Sequence, residues 1–218
     1  MNQDLVSYYR DRAKEYDKVY NNPDEQEDLL KAASFFTDLF AKRTVLEIAC
    51  GTGYWTEQIS KTTASIFATD VNESVIEIAQ NRELGANVTF AVADMFNMTA
   101  EMKYEGLFGG FIWSHILLQA IDRFVEKVKE FVKPGGVIAF IDSNNVEGTN
   151  HDIKCIAKTD EYGNTYQARK LENGISHLVL KNFPTRGFLT QKLSGIATDI
   201  NHIDLKYYWI VSCRRRDN

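Results

Sequence analysis

The sequence lacks most of the features that divide a chain or attach it to a large partner. Its 218 residues include only 3 prolines and 3 cysteines, and no apolar run is long enough to cross a bilayer. Without a linker or an internal repeat, one domain with a sizeable core is expected. Cys50, Cys155 and Cys213 suit neither a disulfide framework nor a metal site, so a reducing cytoplasm and no metal are predicted.

The chain also lacks a basic excess. It has 25 Lys and Arg against 30 Asp and Glu, which gives a net charge of −5. Such a balance offers no general field for a phosphate backbone and argues against nucleic acid as a partner. The basic cluster at residues 214–216 is explained by a solvated tail after the last strand. A small-molecule partner is predicted, with no nucleic acid and no membrane.

Hydrophobic periodicity predicts an α/β protein. Helical spacing over residues 3–20 and 22–40 indicates two N-terminal helices, and from residue 44 short apolar strands alternate with helices. Such alternation is typical of a parallel sheet covered on both faces, with ligands bound beyond the carboxyl ends of the strands. Residues 166–183 flank the turn Glu172-Asn173-Gly174 and predict a hairpin. The expected organisation is a helical cap (1–42), a core (43–142), an insert with hairpin and helix (143–195), and final strands (196–218).

The stretch from Thr44 to Thr56 is the most informative, because an apolar strand leads into a Gly-x-Gly turn and then a helix. Only glycine takes a positive φ readily and lets the backbone contact a ligand, so Gly51 and Gly53 fit a tight turn beneath a bound molecule. Thr56 stands where the dinucleotide fingerprint needs its third glycine. This position argues against a pyrophosphate cofactor.

Asp70 ends the second predicted strand, roughly 20 positions after Gly51, where an acidic side chain can accept the hydroxyl protons of a ribose. Asp94 and Met95 follow the third strand in the same way. Each acidic residue alone also fits a helix cap or a turn. Their order after the glycine turn favours a ligand site along one edge of the sheet.

The form Glu-x-x-x-Gly-x-Gly, which starts at Glu47, resembles motif I of the class I S-adenosylmethionine-dependent methyltransferases. The opening residues 8–17 resemble the first helix of small bacterial members, which folds over the cofactor. Within the family, the likeness is greatest to small-molecule O-methyltransferases that act on phosphonates, although Gln119 stands where those enzymes have a second histidine. The resemblance implies a Rossmann-like fold: a seven-stranded, mostly parallel sheet with an antiparallel last strand, an N-terminal helical cap and an inserted β-hairpin.

The resemblance also implies the cofactor and its contacts. The cofactor would be S-adenosylmethionine, with S-adenosylhomocysteine as its product. Trp113 would either shield the reacting methyl group or pack in the core. The predicted cofactor-binding residues are Tyr16, Glu47, Gly51, Gly53, Trp55, Asp70, Val71, Asp94, Met95 and Trp113.

The acceptor side of the site is predicted from charge and position. His115 follows the fourth strand and is the candidate catalytic base, with a hydrogen-bonded structural histidine as the alternative. The hairpin carries Arg169 and Lys181, which suit an anionic small molecule, although charged hairpin residues are commonly solvated. Tyr9 and Arg12 in the opening helix complete the predicted substrate-binding set.

The function predicted from the sequence is methyl transfer to a small, anionic acceptor, with O-methylation favoured, in a monomer or homodimer. Two alternatives stay open. A nicotinamide-dependent oxidoreductase would use the same strand-turn-helix, but Thr56 and the absence of a Tyr-x-x-x-Lys pair placed for hydride chemistry count against it. A non-catalytic S-adenosylmethionine-binding protein would bind the cofactor without turnover.

Overall fold

The computed structural model describes residues 3–99, 102–149, 155–172 and 174–217. None of the helices in these ranges is both long and apolar enough to span a membrane. The α-helices of the described ranges are α1 (Gln3–Arg12), α2 (Gln26–Leu39), α3 (Tyr54–Ile59), α4 (Glu73–Gln80), α5 (Ile121–Phe131) and α6 (Arg186–Ser194).

Seven strands form the central sheet, in the order β3-β2-β1-β4-β5-β10-β9. Strands β1 to β5 run parallel, and β10 pairs antiparallel with both β5 and β9. The predicted Rossmann-like sheet with an antiparallel last strand is therefore confirmed. The seven strands are β1 (Thr44–Ile48), β2 (Ser65–Asp70), β3 (Val88–Val92), β4 (Tyr104–Gly110), β5 (Val132–Ser143), β9 (Ala197–Asp204) and β10 (Tyr208–Arg215).

The sheet separates two hydrophobic clusters. Val45 packs in one cluster and its neighbour Leu46 in the other, and Ile210 and Val211 divide in the same way. Because successive side chains of a strand point to opposite faces, both faces of the sheet are covered. Burial on both faces explains why the central strands consist of nearly continuous apolar runs.

The N-terminal segment is less regular than its periodicity predicts. Helix α1 ends at Arg12, and a 3₁₀-helix spans Ala13–Asn21. A second short 3₁₀-helix, Pro23–Glu25, precedes α2, and the Asn22 side chain accepts the backbone N–H of Asp24 at 3.2 Å. The sequence predicts Asn22, followed by Pro23, as the cap of the second helix; this cap exists, but it begins the 3₁₀ turn rather than α2.

The predicted hairpin is confirmed as β7 (Thr165–Lys170) and β8 (Ser176–Leu180), which pair antiparallel. A further strand, β6 (Ile156–Thr159), joins β7 and makes a separate three-stranded sheet that the polar sequence did not indicate. Asn173 of the predicted turn and residues 150–154 of the predicted insert lie outside the described residues.

The fourth strand, which the sequence predicts near residues 107–113, ends earlier in the structure. Strand β4 stops at Gly110, because Phe111 takes a φ of +55° and turns the chain out of the sheet. Its backbone N–H donates to the carbonyl of Ile141 at 2.7 Å. Trp113–His115 then form a 3₁₀ turn rather than the end of the strand. This turn carries His115 across the carboxyl edge of the sheet.

Candidate active site

The two glycines of the turn between β1 and α3 have different neighbours. Both take a positive φ, +55° at Gly51 and +82° at Gly53. A Cβ at Gly51 would have no atom within 4 Å, whereas one at Gly53 would lie 3.0 Å from Cβ of Ala79 in α4. Gly51 therefore leaves room above the turn for a ligand, and Gly53 permits the close approach of two helices.

Asp70 holds this turn in place at the end of β2. Its Oδ2 accepts the backbone N–H of Gly51 at 3.0 Å, and its Oδ1 accepts the backbone N–H of Asn72 at 2.9 Å. A carboxylate has about four acceptor positions, so these backbone bonds leave acceptor capacity for a ligand. Burial raises the pKa of Asp70, although the backbone hydrogen bonds oppose this shift.

Above the turn lies a cavity that we call the inner cavity. Five of the residues predicted to bind the cofactor line it: Tyr16, Gly51, Asp70, Val71 and Met95. Most of the remaining wall is apolar and comes from the ends of β1, β3 and β4 and from α1 and α4: Leu5, Val6, Ile48, Ala49, Val75, Ala93, Ile112 and Ile116.

The other predicted cofactor residues are not among the described residues that line this cavity. Trp55 and Trp113 are 3% and 1% exposed and pack in the two hydrophobic clusters, which favours the core alternative for Trp113. Asp94 accepts the backbone N–H of Phe96 at 2.9 Å, as a turn former does. Their roles in cofactor binding stay predictions, as does that of Gly53.

Glu47 is buried beneath the turn. Its Oε2 accepts the hydroxyl of Thr56 at 2.7 Å, and burial raises its pKa to about 8. Thr56, which replaces the third glycine of the dinucleotide fingerprint, is fully buried. Glu47 therefore stabilises the start of α3 through this hydrogen bond and does not itself line the inner cavity.

A second cavity of about 530 Å³, which we call the outer cavity, adjoins the first. The two share Tyr9, Tyr16, Phe111 and His115 as wall residues. The four predicted substrate residues, Tyr9, Arg12, Arg169 and Lys181, all line the outer cavity. The structure thus brings together side chains from α1, the 3₁₀ turn after β4, and the hairpin.

His115 lies at the junction of the two cavities. Its Nδ1 is 2.5 Å from the carbonyl oxygen of Leu180, and its Nε2 is 2.6 Å from the hydroxyl of Tyr9. A carbonyl can only accept, so Nδ1 carries the proton and Nε2 accepts from Tyr9. Burial, with a contribution from the Lys181 ammonium, lowers the pKa of His115 to about 3. The imidazole is therefore neutral at physiological pH.

Lys181 is not the solvated hairpin lysine that its sequence context also permits. It is 2% exposed, and its Nζ donates to Oδ1 of Asp142 at 2.8 Å and to Oγ of Ser114 at 3.0 Å. Asp142 also accepts the backbone N–H groups of Ser114 and Ser143. Burial lowers the pKa of Lys181, and Asp142 opposes the shift. Sequence reasoning missed Asp142, whose place at the carboxyl end of a core strand was the available signal.

The two arginines of the outer cavity are bonded only to neutral groups in the described part of the chain. Arg12 Nη1 donates to the Tyr8 hydroxyl at 2.9 Å, and Arg169 Nη2 donates to Oε1 of Gln167 at 2.9 Å. Neither has a carboxylate within ion-pair distance there. Lys170, the neighbour of Arg169, is exposed, as strand alternation requires. The cavity therefore carries positive charge that no described side chain neutralises.

Asp17 ties the N-terminal segment to the glycine turn, and sequence reasoning missed this contact. Asp17 accepts the hydroxyl of Thr52 and pairs with Nη2 of Arg82. Arg82 also donates to the carbonyl of Thr52 at 2.6 Å and pairs with Glu57 at 2.6 Å. One guanidinium thus joins the N-terminal segment, the turn and α3.

Gln119, the predicted departure from the phosphonate-specific subgroup, lines neither cavity in the described structure. Its Oε1 accepts Nδ2 of Asn164 at 3.0 Å. Asn164 in turn accepts the backbone N–H of Leu118 at 2.7 Å. Gln119 therefore helps to hold the loop after β6 beside the chain that follows His115.

Comparison with known proteins assigns this arrangement to a class. A family model described as a methyltransferase domain matches residues 45–136. Over the whole fold, the chain is similar to DhpI in its complex with SAH, with a TM-score of 0.81 and 26% identity over 99% of this chain and 97% of that one. DhpI in a complex with SAM and HEP aligns with a TM-score of 0.79 and 27% identity over 98% and 99% of the two chains.

Among curated proteins, the malonyl-[acyl-carrier protein] O-methyltransferase of Bacillus cereus is 41% identical over 81 residues, which are 35% of this chain and 30% of that protein. The match thus covers about 30% of the length of that relative. The fold and the glycine turn are those of a Rossmann-like methyltransferase. Residues 45–136 match the methyltransferase-domain family, and over nearly the whole chain the fold is similar to that of DhpI, whose structures contain SAH or SAM.

Proposed function

We propose that the protein transfers the methyl group of S-adenosylmethionine to an oxygen of a small anionic molecule. The observation that carries the proposal is the pair of joined cavities. The inner one has the glycine turn and Asp70, and the outer one has positive charge from Arg12 and Arg169. A neutral His115 stands where the cavities meet.

The residues of the inner cavity fit the cofactor. The open space above Gly51 accommodates a chain laid across the turn. The remaining acceptor capacity of Asp70 suits ribose hydroxyls, and the apolar wall beside Val71 and Met95 suits a planar base. When bound, S-adenosylmethionine supplies a methyl carbon on a sulfonium, whose C–S bond breaks and returns its electron pair to sulfur as the acceptor oxygen bonds to that carbon.

The protein's part in such a reaction is to bind, align and exclude water. The apolar wall keeps solvent from the junction, and Arg12 and Arg169 hold the anion. The low pKa of His115 makes it a weak base. An acceptor oxygen that arrives already ionised needs no base, which is why we favour an anionic acceptor over a neutral alcohol. His115 then contributes a hydrogen bond at the junction, with Tyr9 as its partner.

The relatives include methyltransferases of both kinds: the Bacillus cereus protein is a malonyl-[acyl-carrier protein] O-methyltransferase, and a Triticum aestivum protein is a phosphoethanolamine N-methyltransferase. The preference for oxygen therefore rests on the positive charge of the outer cavity and on the weak basicity of His115. The oxidoreductase alternative is disfavoured further, because Thr56 is bonded to Glu47 where that fold needs a glycine. Only a methyl-transfer assay distinguishes the proposal from the alternative in which the protein binds the cofactor without turnover.

The test is to incubate the purified protein with S-adenosylmethionine and a panel of small phosphonates, carboxylates and uncharged alcohols. S-adenosylhomocysteine and methyl esters are then measured by mass spectrometry. We expect turnover with the anions and none with the alcohols. Tight binding of S-adenosylhomocysteine without turnover of any acceptor would favour the non-catalytic alternative. A preference for the alcohols would contradict the anionic acceptor.

A further inference from the structure

The outer cavity also contains a buried negative charge. Glu25 closes the 3₁₀ turn before α2 and is 8% exposed. Its Oε1 accepts Nδ2 of Asn22 at 2.7 Å, and its Oε2 accepts the hydroxyl of Tyr208. Both partners are neutral. Burial, together with the bond to Glu25, raises the pKa of Tyr208 well above its usual value, so this phenol stays a donor.

Glu25 differs from Asp142, a buried carboxylate whose partner Lys181 lines this cavity. Asp142 has the Lys181 ammonium at 2.8 Å, whereas no Lys, Arg or His of the described residues lies within ion-pair distance of Glu25. A buried charge is costly without an opposite charge. The cavity wall is therefore complementary to a positive group that a ligand would bring.

Aromatic rings surround the same region. Tyr16, Tyr20, Phe111, Tyr207 and Tyr208 line the outer cavity together with Glu25. Ring faces attract cations, and a carboxylate among aromatic rings is the chemistry that binds an ammonium. A ligand with a neutral polar group could form hydrogen bonds with Glu25 but would not neutralise its charge.

One cavity thus carries unneutralised charge of both signs, positive at Arg12 and Arg169 and negative at Glu25. We propose that the methyl acceptor is a zwitterion, whose anionic group lies at the arginines and whose ammonium group lies at Glu25. This inference rests on the proposed function and narrows its substrate class.

The placement also determines which atom receives the methyl group. His115 lines both cavities, whereas Glu25 lines only the outer one. Holding the ammonium at Glu25 keeps the nitrogen away from the junction and leaves the anionic oxygen to face it. The acceptor therefore reacts at oxygen although it also carries an amine.

The test compares acceptors that differ only in the charge of the tail. 2-Aminoethylphosphonate is matched with propylphosphonate, and β-alanine with butyrate, because each pair exchanges an ammonium for a methyl group of similar size. We expect kcat/KM to be at least about tenfold higher for the amino member, which corresponds to about 1.4 kcal/mol. Tandem mass spectrometry should find the new methyl group on oxygen.

Variants then test whether the Glu25 carboxylate causes the preference for the amino member of each pair. Glu25→Gln should remove the preference, so that this variant gives 2-aminoethylphosphonate and propylphosphonate kcat/KM values within about twofold of each other. Tyr208→Phe removes a partner of Glu25 without removing the charge, so its preference should persist. Glu27→Gln, an exposed glutamate paired with Lys31, is the matched control and should change neither value.

The outcomes distinguish failure of the zwitterion proposal from failure of the proposed function. If the wild-type protein methylates the amino and non-amino members of each pair equally well, or if the methyl group is found on nitrogen, the proposal of a zwitterionic acceptor is refuted. The proposed methyl transfer would still stand. An unchanged preference in a folded Glu25→Gln variant would overturn the role of Glu25. Failure to methylate any anion would instead refute the proposed function.

Discussion

The two cavities are built in different ways. The inner cavity is walled by backbone and apolar side chains at the ends of neighbouring parallel strands, and among the described residues only Asp70 contributes a carboxylate. The outer cavity is walled by charged and aromatic side chains from the N-terminal segment, the hairpin and β10. The first depends on the geometry of the sheet and the second on contacts between distant segments. Single substitutions should therefore have more specific effects in the outer cavity.

The largest expected effect concerns the buried pair of the outer cavity. Lys181→Met should lower the free energy of unfolding by about 3–5 kcal/mol, because Asp142 would stay buried without its cation. Urea unfolding monitored by circular dichroism measures it. Lys170→Met, on the exposed face of the hairpin, should cost less than about 0.5 kcal/mol. The double variant Lys181→Met/Asp142→Asn should recover much of the loss, and a fully stable Lys181→Met protein would contradict this description.

The next effect is the response of the junction to acid. The pKa of His115 is about 3 in the folded protein and 6.5 in the unfolded chain, so unfolding takes up a proton below pH 6.5. Stability from this group is complete above pH 6.5 and is lost as the pH falls toward 3. At pH 5 the loss should reach about 2 kcal/mol. His115→Asn should flatten this part of the curve, and an unchanged acid slope would show that His115 is not buried in its neutral form.

A smaller effect concerns the contact between the N-terminal segment and the glycine turn. Asp17→Asn weakens the contact of the N-terminal segment with Thr52 and Arg82. We expect S-adenosylhomocysteine to dissociate about fivefold faster, since a partly exposed ion pair contributes about 1 kcal/mol. Stopped-flow fluorescence measures the rate. Lys18→Gln removes the exposed pair with Glu172 from the same segment and should leave the rate unchanged. Equal dissociation rates for the two variants would show that Asp17 does not help to retain S-adenosylhomocysteine.

Much of the inner cavity could be predicted from sequence, because its signals are local. The glycine turn and Asp70 each follow a core strand, and parallel strands place their carboxyl ends at one edge. The burial of Glu47, Trp55 and Trp113 could not be read in this way. A motif gives the position of a side chain along the chain, but packing decides whether the side chain faces the ligand or the core.

The outer cavity could be predicted only in part. Arg169 and Lys181 were found from their charge, but their partners depend on contacts between distant segments. Asp142 is 39 positions from Lys181, and Glu25 is 183 positions from Tyr208. No periodicity brings such pairs together. The 3₁₀ turn that carries His115 was also missed, because it depends on the positive φ of Phe111.

The most direct test of the division between the cavities is calorimetric titration of S-adenosylhomocysteine into matched variants. Asp70→Ala should weaken binding at least about 30-fold, because two hydroxyl bonds to a carboxylate are worth about 2 kcal/mol or more. Arg169→Ala should bind S-adenosylhomocysteine like the wild type, yet raise KM for the anionic acceptor about tenfold with little change in kcat. Asp204→Ala, on an exposed part of β9, is the control. Wild-type affinity in Asp70→Ala, or equal losses in Asp70→Ala and Arg169→Ala, would contradict the assignment of the inner cavity to the methyl donor and the outer cavity to the acceptor.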